Sequence, residues 1–309
     1  MKALTAEELR GVWAAIPTPW TPDFGLDAAM LEENTQRYQA RGVAGVYTTD
    51  SDGEFYAIEL AQFRELASRF GRAMAKTSMQ AAIGVTWSHT EGIIDRIKAA
   101  LDAGVPNVHV AFPYWMPLAK ADVPRFFDDL ARGAPEARWI HYRTPRAHVL
   151  PFGADYASYH RNHPEQFIGT KLGTSDIAEI TEIIVHAPAL SHFAIDYCSV
   201  PAALAGARGV YSYWVNTLPA WTLETWRLCE QCCWQEAMRR QARLVRWESE
   251  HIQRLRQLGH LHAIVGKARV ALSGFLLDRG HTRAPYYPAD PAIIAELRRE
   301  FDTFWAEEK

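Results

Sequence analysis

Lys171 stands inside an apolar run, Phe167-Ile168-Gly169-Thr170-Lys171-Leu172, whose composition predicts a strand. If the end of that strand faces a cavity, the amine is short of water and gives up its proton more readily. It is then a nucleophile that forms an imine with a carbonyl carbon. If the strand end faces solvent, the side chain snorkels to water and does no chemistry. Both readings are open on this run alone. Tyr142 closes the preceding run, residues 138–142. With the two runs as adjacent strands, its phenol either moves protons during imine formation or packs the interior. Asp50, Asp52, Glu54 and His89 are of metal-ligating types, so a metal-dependent lyase or hydrolase is a competing reading. Cys229, Cys232 and Cys233 form a Cys-x-x-Cys-Cys cluster with no second pair at zinc spacing. Within one helix over residues 221–256 they would sit at i, i+3 and i+4, which favours packing over metal binding. No His-Glu-x-x-His pattern occurs.

Residues of this kind need a scaffold, and the chain alternates regularly enough to predict one. Eight short runs rich in Val, Ile, Tyr and Trp occupy residues 11–17, 42–49, 79–85, 107–114, 138–142, 167–172, 192–197 and 209–215. Several are apolar almost throughout, as strands buried on both faces are. Amphipathic stretches fill the gaps. Leu60, Phe63, Leu66, Phe70 and Met74 recur at spacings of three and four, Ser88 or Thr90 is a candidate cap, and Gly42 and Gly104 stand where helices should end. Eight strand–helix alternations predict an α/β fold, a (β/α)8 TIM barrel over residues 1–218. The strand pattern then stops, and residues 219–309 read as an all-helical C-terminal extension. Barrel enzymes keep their reactive groups at the C-terminal strand ends. That places Thr18, Ser51 to Glu54, Ser88, His89, Tyr114, Trp115, Tyr142, Arg143, Lys171, Asp196, Tyr197, Ser212 and Asn216 around one mouth.

Composition narrows the classes. The chain has 309 residues, 48% of them hydrophobic, and a net charge of −3. That apolar content excludes disorder as the main state, and the lack of basic excess argues against nucleic acid as partner. No run of about 18 apolar residues appears, so no membrane span is expected. Four cysteines make no disulfide framework, and with no signal-peptide pattern at the N-terminus the expectation is a cytoplasmic protein.

Motifs along most of the chain resemble the dihydrodipicolinate synthase / N-acetylneuraminate lyase family of Schiff-base enzymes. The opening strand, Gly11-Val-Trp-Ala-Ala-Ile-Pro-Thr-Pro-Trp, is similar to the family's strand ending in Thr-Pro. Gly42-Val-Ala-Gly-Val-Tyr-Thr-Thr-Asp-Ser-Asp-Gly-Glu-Phe aligns without gaps to its segment ending in Gly-Thr-Thr-Gly-Glu. Phe112-Pro113-Tyr114-Trp115, Tyr142-Arg-Thr-Pro145 (family Tyr-Asn-x-Pro), Gly169-Thr-Lys171, Ser212, Asn216, Lys267, Arg283 and Pro285 follow in order. The resemblance implies that Lys171 forms the imine and Tyr142 relays protons. It implies that Ser51 and Asp52 hold the carboxylate of a 2-oxo acid, with Gly53 and Glu54 completing that motif. Thr18, Trp115, Arg143, Asp196 and Ser212 are expected to bind substrate. No metal or other cofactor is expected, because the protonated imine is itself the electron sink, and a homo-oligomer, dimer or tetramer, is expected.

Departures bear on substrate. Asp50 replaces the family's usual Gly and Asp52 its Thr, so two acids stand beside a carboxylate site, with Arg143 as a candidate cation to pair them. Trp115 replaces the tyrosine that in the synthases crosses a subunit contact to the proton relay. Ala147 falls where those enzymes carry an arginine for the second carboxylate, with Arg146 one place early. Other stretches, including Pro113-Tyr-Trp115 and Lys171-Leu-Gly173, resemble the hydratase-aldolases that act on benzylidenepyruvate-type substrates. The expected activity is a Schiff-base lyase on a small-molecule 2-oxo acid, an aldolase or a dehydratase. The alternatives are a family member that binds without turnover, or a synthase-like condensation.

Overall fold

The computed structural model describes residues 1–306. Eight parallel strands close into a barrel in chain order: β1 (Gly11–Ala15), β2 (Gly45–Thr48), β3 (Gln80–Gly84), β4 (Asn107–Val110), β5 (Arg138–Arg143), β6 (Phe167–Leu172), β7 (Ser191–Ile195) and β8 (Gly209–Ser212). Between them lie α1 (Ala28–Arg41), α2 (Leu60–Met74), α3 (Thr90–Asp102), α4 (Val123–Gly133), α5 (Gly153–Asn162), α6 (Ile177–His186) and α7 (Ser199–Leu204). In α2, Phe63, Leu66, Phe70 and Met74 are all buried, and each large side chain so placed stabilises the fold by roughly 1.5–3 kcal/mol. The Asp27 carboxylate caps α1 by accepting from the Met30 N–H, and Gly42 ends it in the left-handed region at φ 75°. The residue flanking α3 at its start is His89, not Ser88 or Thr90, and it makes no side-chain cap.

α8 (Pro219–Glu230) packs on α7 and β1 as the eighth helix of the ring, so the eighth strand–helix unit continues past residue 218. The single helix expected over 221–256 is broken. The Cys232 N–H donates to the Cys229 carbonyl and the Cys233 N–H to the Leu228 carbonyl, with Cys232 at φ 58°. This is a Schellman stop built on cysteine rather than glycine. Cys229 is therefore buried while Cys232 and Cys233 are exposed in the turn, and the three do not share a helix face. After the stop come α9 (Trp234–Trp247), a π-turn (Glu248–Ile252), α10 (Gln253–Gln257), α11 (His262–Ser273) and α12 (Pro291–Phe304). These helices share a core of their own around Trp214, Trp221, Trp247, Phe301 and Trp305.

Side chains fill the barrel, with Trp13 and Phe193 among the bulkiest. Each lies where a neighbouring strand has no side chain: a Cβ on Gly45 would fall 2.3 Å from the Trp13 ring, and one on Gly209 would fall 2.3 Å from Phe193. Large-beside-absent packing of this kind fills the lumen without voids. Gly45→Ala is expected to lower unfolding stability by about 1–3 kcal/mol through overpacking. The check is the urea midpoint; an unchanged midpoint would show that the Trp13 ring has room to move.

Candidate active site at the barrel mouth

Residues alternate in and out along each strand, which turns Tyr47 (β2), His109 (β4), Tyr142 (β5), Lys171 (β6) and Tyr211 (β8) toward the barrel axis. Lys171 is 5% exposed, so its amine does not snorkel to bulk water. Its Nζ donates to Asp50 Oδ2 at 2.9 Å and to the Tyr47 phenol at 3.0 Å. The Tyr142 ring stands over it, 4.0 Å from nitrogen to centroid. Asp50 Oδ2 also lies 2.9 Å from His109 Nδ1, and His109 Nε2 lies 2.9 Å from the Tyr211 hydroxyl. Burial opposes the ammonium, but the Asp50 carboxylate, with the oxygens of Tyr47 and Tyr142, more than reverses this and holds the amine protonated well above the usual lysine range. Burial likewise raises the Asp50 carboxyl, and Lys171 and His109 overcome it, bringing Asp50 down to about 2.

Asp50 arrives on a tight loop. Thr49, Asp50 and Glu54 have φ of 66°, 42° and 60°. The loop is stitched by the Gly53 N–H to the Thr49 carbonyl at 2.7 Å and by Thr49 Oγ1 to the Gly84 carbonyl at 2.6 Å. A Cβ on Gly53 would lie 2.3 Å from the Thr49 oxygen, so this position requires glycine. Glu54 is fully buried, accepting from Trp20 Nε1 at 2.9 Å and the Arg283 N–H at 2.7 Å and pairing with Lys267 at 3.1 Å. Thr18 Oγ1 donates to the Gly53 carbonyl at 3.0 Å, and the Thr18 carbonyl accepts from Lys267 at 2.9 Å. Among the described residues, the backbone N–H groups of Ser51 and Asp52 have no acceptor.

A cavity of about 410 Å³ opens above Lys171, lined on the barrel side by Tyr47, Ser51, Asp52, Tyr142 and Arg146. The π-turn supplies the far wall with Glu248 and Ser249, joined by Gln253, Arg256 and His262. Such turns inside helices are often found at functional sites. Glu248 is buried and accepts from Arg269 Nε at 2.7 Å, Arg256 at 2.9 Å and the Tyr197 hydroxyl. Burial raises its carboxyl, and the two guanidiniums overcome that and hold it below the ordinary range. An adjoining recess of about 230 Å³ is walled by Phe55, Tyr56, Phe112, Tyr114 and Tyr286, and meets the first cavity at Ser51, Tyr142, Thr144, Arg146 and His262.

Of the residues expected to act, the fold brings Lys171, Tyr142, Ser51 and Asp52 to the cavity. Seven others are corrected to supporting or surface positions. Thr18, Gly53 and Glu54 build the loop from behind. Arg143, next to inward-facing Tyr142, points outward, where it donates to the Pro151 carbonyl at 2.9 Å and to Glu179 at 2.5 Å. It therefore pairs neither Asp50 nor Asp52. Ser212, next to inward-facing Tyr211, also points outward and donates to Asp196 Oδ1 at 2.6 Å. Asp196 further accepts from the Tyr213 N–H at 3.0 Å, and burial pushes its carboxyl up to about 6 despite these donors. Trp115 is 80% exposed on the surface. Trp20, Trp87 and Trp214 pack behind the strand ends, whereas Phe55 and Tyr56 line the recess and Tyr197 and Tyr213 the cavity. The metal reading fails on placement: Asp50 is taken by Lys171, Glu54 by Lys267 and Trp20, and His89 is exposed. The sequence motifs do not mark the lumen trio Tyr47, His109 and Tyr211 or the far wall from Glu248 to His262. Period-two alternation within the runs would have found the first set, while only the tertiary packing of the extension reveals the second.

The profile of the dihydrodipicolinate synthetase family matches residues 8–301. An uncharacterized DapA-like lyase of Thermococcus onnurineus is 30% identical over 123 residues, 40% of this chain and 41% of that protein. The trans-O-hydroxybenzylidenepyruvate hydratase-aldolase of Pseudomonas putida is 26% identical over 156 residues, 48% of this chain and 47% of that protein. The matched stretches thus span less than half the length of these two curated relatives. Among solved structures, YagE, a prophage protein of the dihydrodipicolinic acid synthase family from E. coli K12 crystallised with pyruvate, superposes with a TM-score of 0.86 at 18% identity. That match covers 96% of this chain and 98% of the other.

Among the described residues, Glu248 is the carboxylate that pairs directly with the buried Arg269 guanidinium. Glu248→Gln leaves that charge uncompensated, and breaking such a buried pair is expected to cost about 3–5 kcal/mol, read from chemical denaturation. A loss below about 1 kcal/mol would mean that the wall is held by packing alone.

Proposed function

This chain belongs to the dihydrodipicolinate synthetase family, and from that premise we propose that it is a Schiff-base lyase acting on a 2-oxo acid. The observation that carries the reading is the position of Lys171. Its amine is buried at the floor of a cavity, hydrogen-bonded to a carboxylate and a phenol, with Tyr142 above it. In this reading the free N–H groups of Ser51 and Asp52 receive the substrate carboxylate, as backbone donors in a tight turn do well. Lys171 attacks the 2-oxo carbon, and the Tyr142 phenol moves protons to and from the carbinolamine oxygen. The protonated imine then draws electrons, so that a C–C bond breaks in retro-aldol fashion or a β-hydroxyl leaves as water.

The remainder of the substrate would lie either against Arg256 and His262 or in the aromatic recess beside Arg146. The recess favours a substrate with a flat apolar substituent, as benzylidenepyruvate-type acids have, and the hydratase-aldolase relative is consistent with that class. The second reading, binding without turnover, has one observation in its favour: Asp50 holds the amine protonated, and an ammonium is not a nucleophile.

Borohydride reduction in the presence of pyruvate separates the two. The lyase reading expects an irreversible adduct on the peptide containing Lys171, located by mass mapping, and pyruvate release from a panel of larger 2-oxo acids. Absence of any adduct would remove the mechanism. Tyr142→Phe is expected to slow turnover by roughly 100-fold while leaving Lys171 in place to be trapped; near-normal turnover would take the phenol out of the scheme.

A further inference from the structure

The lumen below the cavity holds an acid that the scheme above does not use. Asp50 sits between β6 and β4, with its Oδ2 shared between Lys171 Nζ and His109 Nδ1, each at 2.9 Å. The row continues through His109 Nε2 to the Tyr211 hydroxyl on β8. Burial, helped by the Lys171 cation, lowers the His109 imidazole below its ordinary range against the pull of Asp50. With the ring proton on Nδ1, it donates to the carboxylate and its Nε2 accepts from the phenol. Asp50 Oδ1 is buried with no hydrogen-bond donor among the described residues. The backbone is shaped to admit this side chain. Thr49 and Asp50 are both left-handed, and Gly84 leaves the space that Oδ1 fills, since a Cβ there would lie 2.3 Å from that oxygen. Non-glycine residues held at positive φ cost of order 1–3 kcal/mol each and persist where the surroundings enforce them.

We propose that Asp50 is the acid–base partner of Lys171, taking the ammonium proton as the amine attacks the carbonyl carbon and afterwards standing as counter-charge to the iminium, with His109 and Tyr211 as positioning residues. This deepens the lyase reading and rests on it. One proton passes from Nζ to the Asp50 carboxylate. The freed lone pair forms the C–N bond while the carbonyl π pair moves to oxygen, and a second nitrogen proton reaches that oxygen through the Tyr142 phenol. The C–O bond then breaks, and the oxygen leaves as water with the proton that Asp50 held, delivered by the same phenol. Ammonium plus carbonyl becomes iminium plus water, and Asp50 is an anion again. The same carboxylate thus faces a single positive charge at the start and at the end, which keeps a buried cation paired throughout.

The titratable groups that face Lys171 are Tyr47, Asp50, His109, Tyr142 and Tyr211, with Asp52 on the loop above; β1, β3 and β7 present Trp13, Ala82 and Phe193. Since the proton moves between partners inside the lumen, imine formation with pyruvate in the wild-type protein should vary little with pH. The experiment is rapid-quench borohydride trapping, quantified at Lys171. The expected wild-type rate is flat within about threefold between about pH 6 and 9. Asp50→Asn, with the proton now lost to solvent, should rise by about tenfold per pH unit through the titration of the amine. It should also lose turnover relative to trapping, because the iminium has no counter-charge. A wild-type rate that climbs about tenfold per pH unit, or an Asp50→Asn protein with the wild-type profile and turnover, overturns the proposal while leaving Lys171 as the imine former. No adduct in the wild type overturns both.

Discussion

A lysine amine can stand charged in the middle of a parallel barrel only when an anion stands with it. Removing an ammonium from water is costly, and a lumen lined by Trp13, Tyr47, Phe193 and Tyr211 offers little to replace that water. Here the anion is Asp50, and much of the local architecture follows from bringing it within 2.9 Å of Lys171. The loop after β2 bends through two consecutive left-handed residues to turn the carboxylate inward. Gly84 leaves the space, and His109 fills the second acceptor position on Oδ2. The ion pair, the strained loop and the missing side chain on β3 form one constraint.

A second tier of charge holds the first in place without touching the cavity floor. Glu54 ties the loop to the extension through Lys267 and to the backbone of Arg283, and Thr18 closes the same joint from β1. On the far side, Glu248 gathers Arg269, Arg256 and Tyr197 at the π-turn, so the wall of the cavity is set by a buried carboxylate serving two guanidiniums. The helical extension is in this sense part of the site. It anchors the loop that carries Asp50 from one end and supplies the distal lining from the other.

All eight strands and most of the ring helices were legible in the sequence, because a fully buried strand is an unbroken apolar run and an amphipathic helix repeats at three and four. Lys171 and Tyr142 were legible because charge or a phenol inside such a run has few ways of being accommodated. The sequence misled where motif residues serve as scaffold. Arg143, Asp196 and Ser212 lie at strand ends, but side-chain alternation and local hydrogen bonds turn them away from the cavity, while Thr18, Gly53 and Glu54 are spent in holding the loop after β2. The break at Cys232 carries no sequence signal, because a Schellman stop normally announces itself with glycine. Asp50 departs from the family pattern, and the sequence offers Arg143 as the cation to pair it. Its actual partner, Lys171, lies 121 positions later in the chain, and only barrel closure brings the two together.

The pairing of Asp50 with the reacting amine is tested most directly by the crystal structure of the protein after borohydride reduction with pyruvate. A 1-carboxyethyl group is expected on Lys171 Nζ, with the new secondary amine still about 3 Å from Asp50 Oδ2 and the adduct's carboxylate on the N–H groups of Ser51 and Asp52. An adduct nitrogen swung away from Asp50, with the carboxylate bound elsewhere in the cavity, would contradict it.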